Sequence, residues 1–130
     1  MLDIEIKTIP DKQQRYNTVG DYQTTEAGTQ LLSVSDMNNW KHEFLIAIHE
    51  LIESALCKDK GITDEVIDAF DMNYEASRVQ TDTTSEPGDS PDAPYHDAHV
   101  FATNLEKMMA TELGVDWEEY SQACAELTEK

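Results

Sequence analysis

The sequence predicts an α+β domain, a small N-terminal antiparallel sheet followed by about four helices. Two observations carry the prediction. Residues 1–34 show period-two alternation and turn chemistry, whereas residues 35–130 show helix caps, helical spacing of apolar side chains and glycine stops. The length of 130 residues adds a third constraint: one domain, 1–130, large enough to bury a core.

The elements follow in order. Leu2, Ile4 and Ile6 alternate with Asp3, Glu5 and Lys7, so a strand here has two chemically different faces. Pro10-Asp11-Lys12 is turn chemistry. Residues 15–19 form a weaker extended segment closed by Gly20-Asp21, and residues 29–34 form a third after a turn at Glu26-Ala27-Gly28. Ser35 or Asp36 caps a first helix that reaches about Lys58 and stops at Gly61. Thr63 or Asp64 opens a second helix to about Arg78, so residues 35–79 hold two helices. Residues 80–94 form an acidic loop; Pro87, Pro91, Pro94 and Gly88 at its end forbid regular structure. Residues 95–130 hold two more helices. One starts at Tyr95 or Asp97 and stops at Gly114 after Leu113; the other opens on the capping-box spacing of Asp116 and Glu119. Trp40 and Trp117 read as packing residues, and Met108 and Met109 as gap-fillers.

Charge narrows the partners. The chain carries 27 acidic and 9 basic side chains, a formal −18. Residues 1–60 hold 10 acids and 6 bases, and residues 61–130 hold 17 acids and 3 bases. Direct nucleic-acid binding through phosphate contacts needs clustered Lys and Arg, and an anionic membrane surface repels such a chain. The longest apolar run, residues 44–48, is too short to span a bilayer. Residues 1–5 lack the basic start and apolar run of a secretory leader. Cys57 and Cys124 stand apart, in no metal-ligand spacing. These features predict a cytoplasmic protein.

The chemistry concentrates in His49-Glu50-Leu51-Ile52-Glu53. On a helix, positions i and i+4 lie about 40° apart on one face, so His49 and Glu53 can bind one metal ion together. Glu50 is angled away, where the general base stands in the His-Glu-x-x-His helix of zinc peptidases. A divalent metal lowers the pKa of a bound water, and such a carboxylate takes its proton. Zinc accepts a His₂Glu set, and the carboxylate also suits manganese or iron. His99 in the third helix is the expected third ligand. Glu106, seven residues on, is a possible fourth, with His96 as an alternate. His42 shares the face of His49 as a supporting group, and Tyr95 is a candidate electrophile beside the loop. On a helical wheel His42, Glu43, His49, Glu50, Glu53 and Ser54 share a sector of roughly 140° that also holds Ile46. An ordinary surface helix has a polar sector of that size.

Several segments together resemble small uncharacterised proteins of phages and prophages: residues 14–21 (QRYNTVGD), 34–37 (VSDM), 44–53 (FLIAIHELIE), 87–89 (PGD), 93–96 (APYH) and 113–117 (LGVDW). The resemblance covers most of the chain and implies the cytoplasm of a bacterium or phage-infected host. Residues 29–60 also resemble a minimal zincin, the fold of zinc metallopeptidases, with Glu53 where zincins usually carry His. That likeness implies a metal-dependent hydrolase using water activated by Glu50, with residues 80–94 as a lid. Two other functions remain in view. Glu50-x-x-Glu53 and Glu65-x-x-Asp68 resemble the metal-binding pairs of all-α, MazG-like nucleotide pyrophosphohydrolases, which hold Mg²⁺ on phosphates. A non-catalytic protein could instead present Asp64, Glu65, Asp68, Asp71 and Glu75 as a DNA mimic that binds or inhibits a host protein.

Overall fold

The computed structural model describes residues 1–78 and 85–128. Three strands, β1 (Ile4–Ile9), β2 (Gly20–Thr24) and β3 (Gln30–Ser35), precede four helices. These are α1 (Trp40–Asp59), α2 (Asp64–Ala76), α3 (His96–Glu112) and α4 (Trp117–Thr128). The α+β arrangement is the one expected. Residues 80–84 of the expected loop and its opening lie outside the described residues; Pro87–Asp89 form one 3-10 turn.

The sheet is mixed, not antiparallel throughout. Its order is β1-β3-β2, with β1 parallel and β2 antiparallel to β3. The reason lies in the link between β1 and β2. Pro10 leads into a 3-10 turn at Asp11–Gln13, not a two-residue hairpin. Residues 10–19 are long enough to carry the chain past the position that β3 later fills. Gln14 pins this crossover, its amide donating to Ser33 O at 3.2 Å and Ser35 Oγ at 3.1 Å. Residues 15–19, expected as a strand, belong to this link, and the strand begins at Gly20. Arg15 anchors it through Asp21 on β2 and Asp68 on α2, at 2.7 and 3.0 Å.

Helix α1 starts later than the first cap signal. Ser35 and Asp36 are still tied to the sheet, their amides donating to Val19 O and Ile9 O at 2.8 and 2.7 Å. Asn38 turns the chain at φ 52, and the Asn39 side chain then accepts from Lys41 N and His42 N. Thr63 caps α2 as expected, and Asp116 accepts from Glu119 N at 3.0 Å ahead of α4.

Helix α1 packs on β2 and β3 with one side and on α3 with another. One apolar cluster joins Leu32, Tyr22, Cys57, Ile67 and Tyr95; the other joins Val34, Leu45, Ile46, Ala110 and Tyr120. Burying one such Leu or Ile side chain stabilises the fold by about 1.5–3 kcal/mol. Two packing expectations fail. Trp40 and Met108 are each 65 % exposed. Trp117 packs edge-on against Tyr120, 5.3 Å between ring centres. Among the described residues no helix is long and apolar enough to cross a membrane.

Candidate metal centre

The polar sector of α1 faces inward. His49, Glu53 and Ser54 are buried, while Phe44 on the apolar side is 42 % exposed. Burying charged groups is costly unless each is paired. His49 and Glu53 both are. Glu53 Oε2 lies between two imidazoles, 2.8 Å from His49 Nε2 and 3.0 Å from His99 Nδ1. The other carboxylate oxygen, Oε1, accepts from Tyr22 OH at 2.8 Å. The far nitrogen of His49, Nδ1, meets Glu106 Oε1 at 2.8 Å, and Tyr120 OH donates to Glu106 Oε2. The far nitrogen of His99, Nε2, meets Asp89 Oδ1 at 3.0 Å.

Three expected ligands therefore converge. Donor atoms of His49, Glu53 and His99 all lie within 4.8 Å of one another. A tetrahedral ion with bonds of about 2.0–2.1 Å holds its donors roughly 3.4 Å apart. The two close pairs would have to open by about half an ångström, well within side-chain reach. The hard–soft character of two imidazoles and one carboxylate fits zinc, manganese or iron(II). Carboxylate partners on the non-ligating nitrogens of both histidines are the usual outer support of metal-bound imidazole.

The remaining expected residues divide. Glu106 is not beside the other donors; it holds His49 from behind. His96 does not enter the cluster, because its Nδ1 lies 2.9 Å from Gly88 O in the loop. The His42 ring lies 5.3 Å from that of Tyr120 at a tilt of 58°, and Tyr120 in turn bonds Glu106, so among the described residues His42 stands one contact removed from the centre. The Tyr95 hydroxyl donates to Asp71, which also accepts from Tyr16 at 2.9 Å. Glu50 lines the same cavity of about 190 Å³ as the three donors. Among the described residues its carboxylate has no hydrogen-bond partner.

Electrostatics follow from burial and pairing. Burial opposes charge on His49, but the bonds to Glu106 and Glu53 outweigh it and hold the imidazole well above its ordinary range. His99 behaves likewise: burial lowers it, Asp89 and Glu53 raise it, and it reaches about 10. Burial raises Glu53, yet the two imidazoles pull it down to about 2. Glu50 moves the other way, raised by burial and by the neighbouring Glu53 charge. Two carboxylates one turn apart are thus shifted in opposite directions by their surroundings.

Five supporting residues escape the sequence pattern. Tyr22 and Tyr120 reach the centre from distant elements. Asp89 sits in the Pro87-Gly88-Asp89 turn without any ligand spacing. Gly20 and Gly88 matter through what they lack. A Cβ at 20 would come within 2.7 Å of Glu50 Oε1, and a Cβ at 88 within 2.5 Å of His99 Nδ1. Close approach is the one signal these glycines offered.

Four acids of the expected acidic helical face are engaged by other groups of the chain, and one of them, Asp71, is buried. Asp68 pairs with Arg15, Asp71 lies under two tyrosines, and Glu75 pairs with Arg78 at 2.7 Å. Asp64 accepts from Thr24 N at 2.8 Å. No protein-family model, curated protein or solved structure compared with the chain matches it.

Proposed function

We propose that the protein binds one divalent cation, zinc before manganese or iron, through His49 Nε2, Glu53 Oε2 and His99 Nδ1, and acts as a zincin-like, cytoplasmic phage hydrolase. One observation carries the reading: three buried donors from two helices share one point, and each is held from its far side by Glu106, Tyr22 or Asp89. A cation held there supplies Lewis acidity, which lowers the pKa of bound water and polarises a carbonyl. The chain's own residues supply the rest. Glu50, on the wall of the same cavity as the three donors, accepts the proton of the attacking water and returns it to the leaving group. Glu106 and Asp89 fix which nitrogen of each imidazole faces the ion.

The cavity limits the substrate. At about 190 Å³ it is smaller than the roughly 300–1,000 Å³ of a typical small-molecule site. It admits one functional group of a larger molecule, such as a peptide bond. Its walls carry Asp21, Asp71 and Glu75 besides the donors, so polyphosphate and nucleic acid are poor candidates. The commitment of Asp68 to Arg15 further disfavours the nucleotide-pyrophosphohydrolase reading. Commitment of four acids of α2 disfavours the DNA mimic.

Metal content of untagged protein tests the first step. The expected result is about one ion per chain, lost in His49→Ala. No metal in either protein overturns the reading. A metal-loaded sample that cleaves unfolded peptides, with Glu50→Gln inactive, supports the hydrolase; peptides left intact overturn that assignment.

A further inference from the structure

Strand β1 is an edge of the sheet, and among the described residues its outer side is open. Backbone bonding alternates along a strand, and Asp3 O and Ile9 O accept from Gln30 N and Asp36 N on the β3 side. Odd positions of β1 therefore serve β3. The N–H and C=O groups of Ile4, Ile6 and Thr8 point away from it. The side chains are equally uncovered. Ile6 pairs with Leu32 and Thr8 with Val34, so both share the face that α1 covers over β3. Leu32 and Val34 are buried, yet Ile6 is 50 % exposed. An open edge with an exposed apolar row invites another strand.

The sequence of β1 says which strand. Glu5 and Lys7 lie on the opposite face, paired with each other at 3.4 Å and both more than half exposed. An antiparallel copy of β1 with its two-fold axis at Ile6 sets Ile6 against the partner's Ile6 and Ile4 against the partner's Thr8. These are hydrogen-bonded pairs, which use the outward backbone groups. The same register sets Glu5 against the partner's Lys7, twice, as non-hydrogen-bonded pairs, where side chains come closest. Moving the axis one residue either way opposes Glu5 to Glu5, or Lys7 to Lys7. The chain carries −18 overall, so two copies repel almost everywhere. Residues 1–12 are the exception, with Lys7 and Lys12 against Asp3, Glu5 and Asp11.

We propose that β1 is a dimer interface: two copies of the chain pair antiparallel through β1 about Ile6, joining two three-stranded sheets into one. The occupant is a second copy because the strand is complementary to itself in charge and in backbone bonding. This proposal is independent of the metal centre.

Light scattering on the full chain tests it, with circular dichroism as the check on folding. The expected mass is twice 14.7 kDa. Ile6→Pro removes an outward N–H, which an edge strand tolerates, and gives a folded monomer. Lys7→Glu sets acids against acids and weakens dimerisation at least tenfold. Glu5→Lys combined with Lys7→Glu restores it. A monomeric parent protein, a dimer indifferent to Lys7→Glu, or a charge swap that fails to restore pairing overturns the proposal. Should Ile6→Pro unfold, the charge variants at these exposed positions decide alone.

Discussion

His49 Nδ1 and Glu106 Oε1 lie 2.8 Å apart and join α1 to α3 across 57 positions of sequence. Glu106 therefore acts on the centre by orienting His49. Replacing a carboxylate in that role costs roughly 10–100-fold in metal affinity. Glu106→Gln is expected to fall in that range and to keep the ion stoichiometric at saturation. Competition with a chromophoric chelator measures it; unchanged affinity contradicts the role.

Gly88 bears on the centre by absence. An alanine Cβ there would lie 2.5 Å from His99 Nδ1, a distance that forces the ring or the turn to move. Gly88→Ala is expected to weaken metal binding and to cost about 1–3 kcal/mol of stability. Denaturant unfolding of the metal-free protein separates the two effects. A variant indistinguishable from the parent in both measurements would show that the turn yields freely.

Glu50 and Gly20 form a second such pair, with 2.7 Å between Glu50 Oε1 and an alanine Cβ at 20. Glu50→Gln is expected to retain the ion and to lower any hydrolytic turnover by at least about 100-fold, the usual scale of a lost general base. Gly20→Ala is expected to reproduce the loss with the ion retained. Full turnover in Glu50→Gln would remove Glu50 from the mechanism.

Asp71 makes stability depend on pH. Burial lifts its carboxyl from 3.8 to about 6, against the bonds from Tyr95 and Tyr16 that pull it down. The folded state thus binds this proton more tightly than the unfolded state. The contribution to stability is full below about pH 4 and is lost as pH rises through about 6. Asp71→Asn removes that dependence. Its stability relative to the parent is expected to rise by on the order of 3 kcal/mol between those limits and to stay level above them. Unfolding curves across that range check it; a relative stability that falls with pH has the wrong sign.

The convergence of His49, Glu53 and His99 was legible in the sequence because His49 and Glu53 are one helical turn apart and His99 lies on another helix with helical spacing. Their support was not legible, because Tyr22, Tyr120 and Asp89 are brought in by tertiary packing. The polar sector on the α1 wheel had the size an ordinary surface helix shows, whereas the structure buries His49, Glu53 and Ser54 of that sector. A wheel records which residues share a side, not which side meets the core. The same limit explains the sheet. Alternation identified β1 as a strand and the turn at Glu26-Ala27-Gly28 marked the start of β3, but the direction of pairing followed from the length of the link between β1 and β2. Asp68 and Asp71 read as surface charge because their partners, Arg15 and Tyr16, are far away in sequence.

Anomalous diffraction from crystals of zinc-loaded protein locates the ion. One strong peak is expected, bonded to His49 Nε2, Glu53 and His99 Nδ1 at about 2.0–2.2 Å. A peak on the other side of His99, between Nε2 and the Glu86 and Asp89 carboxylates, or no peak at all, would contradict this placement.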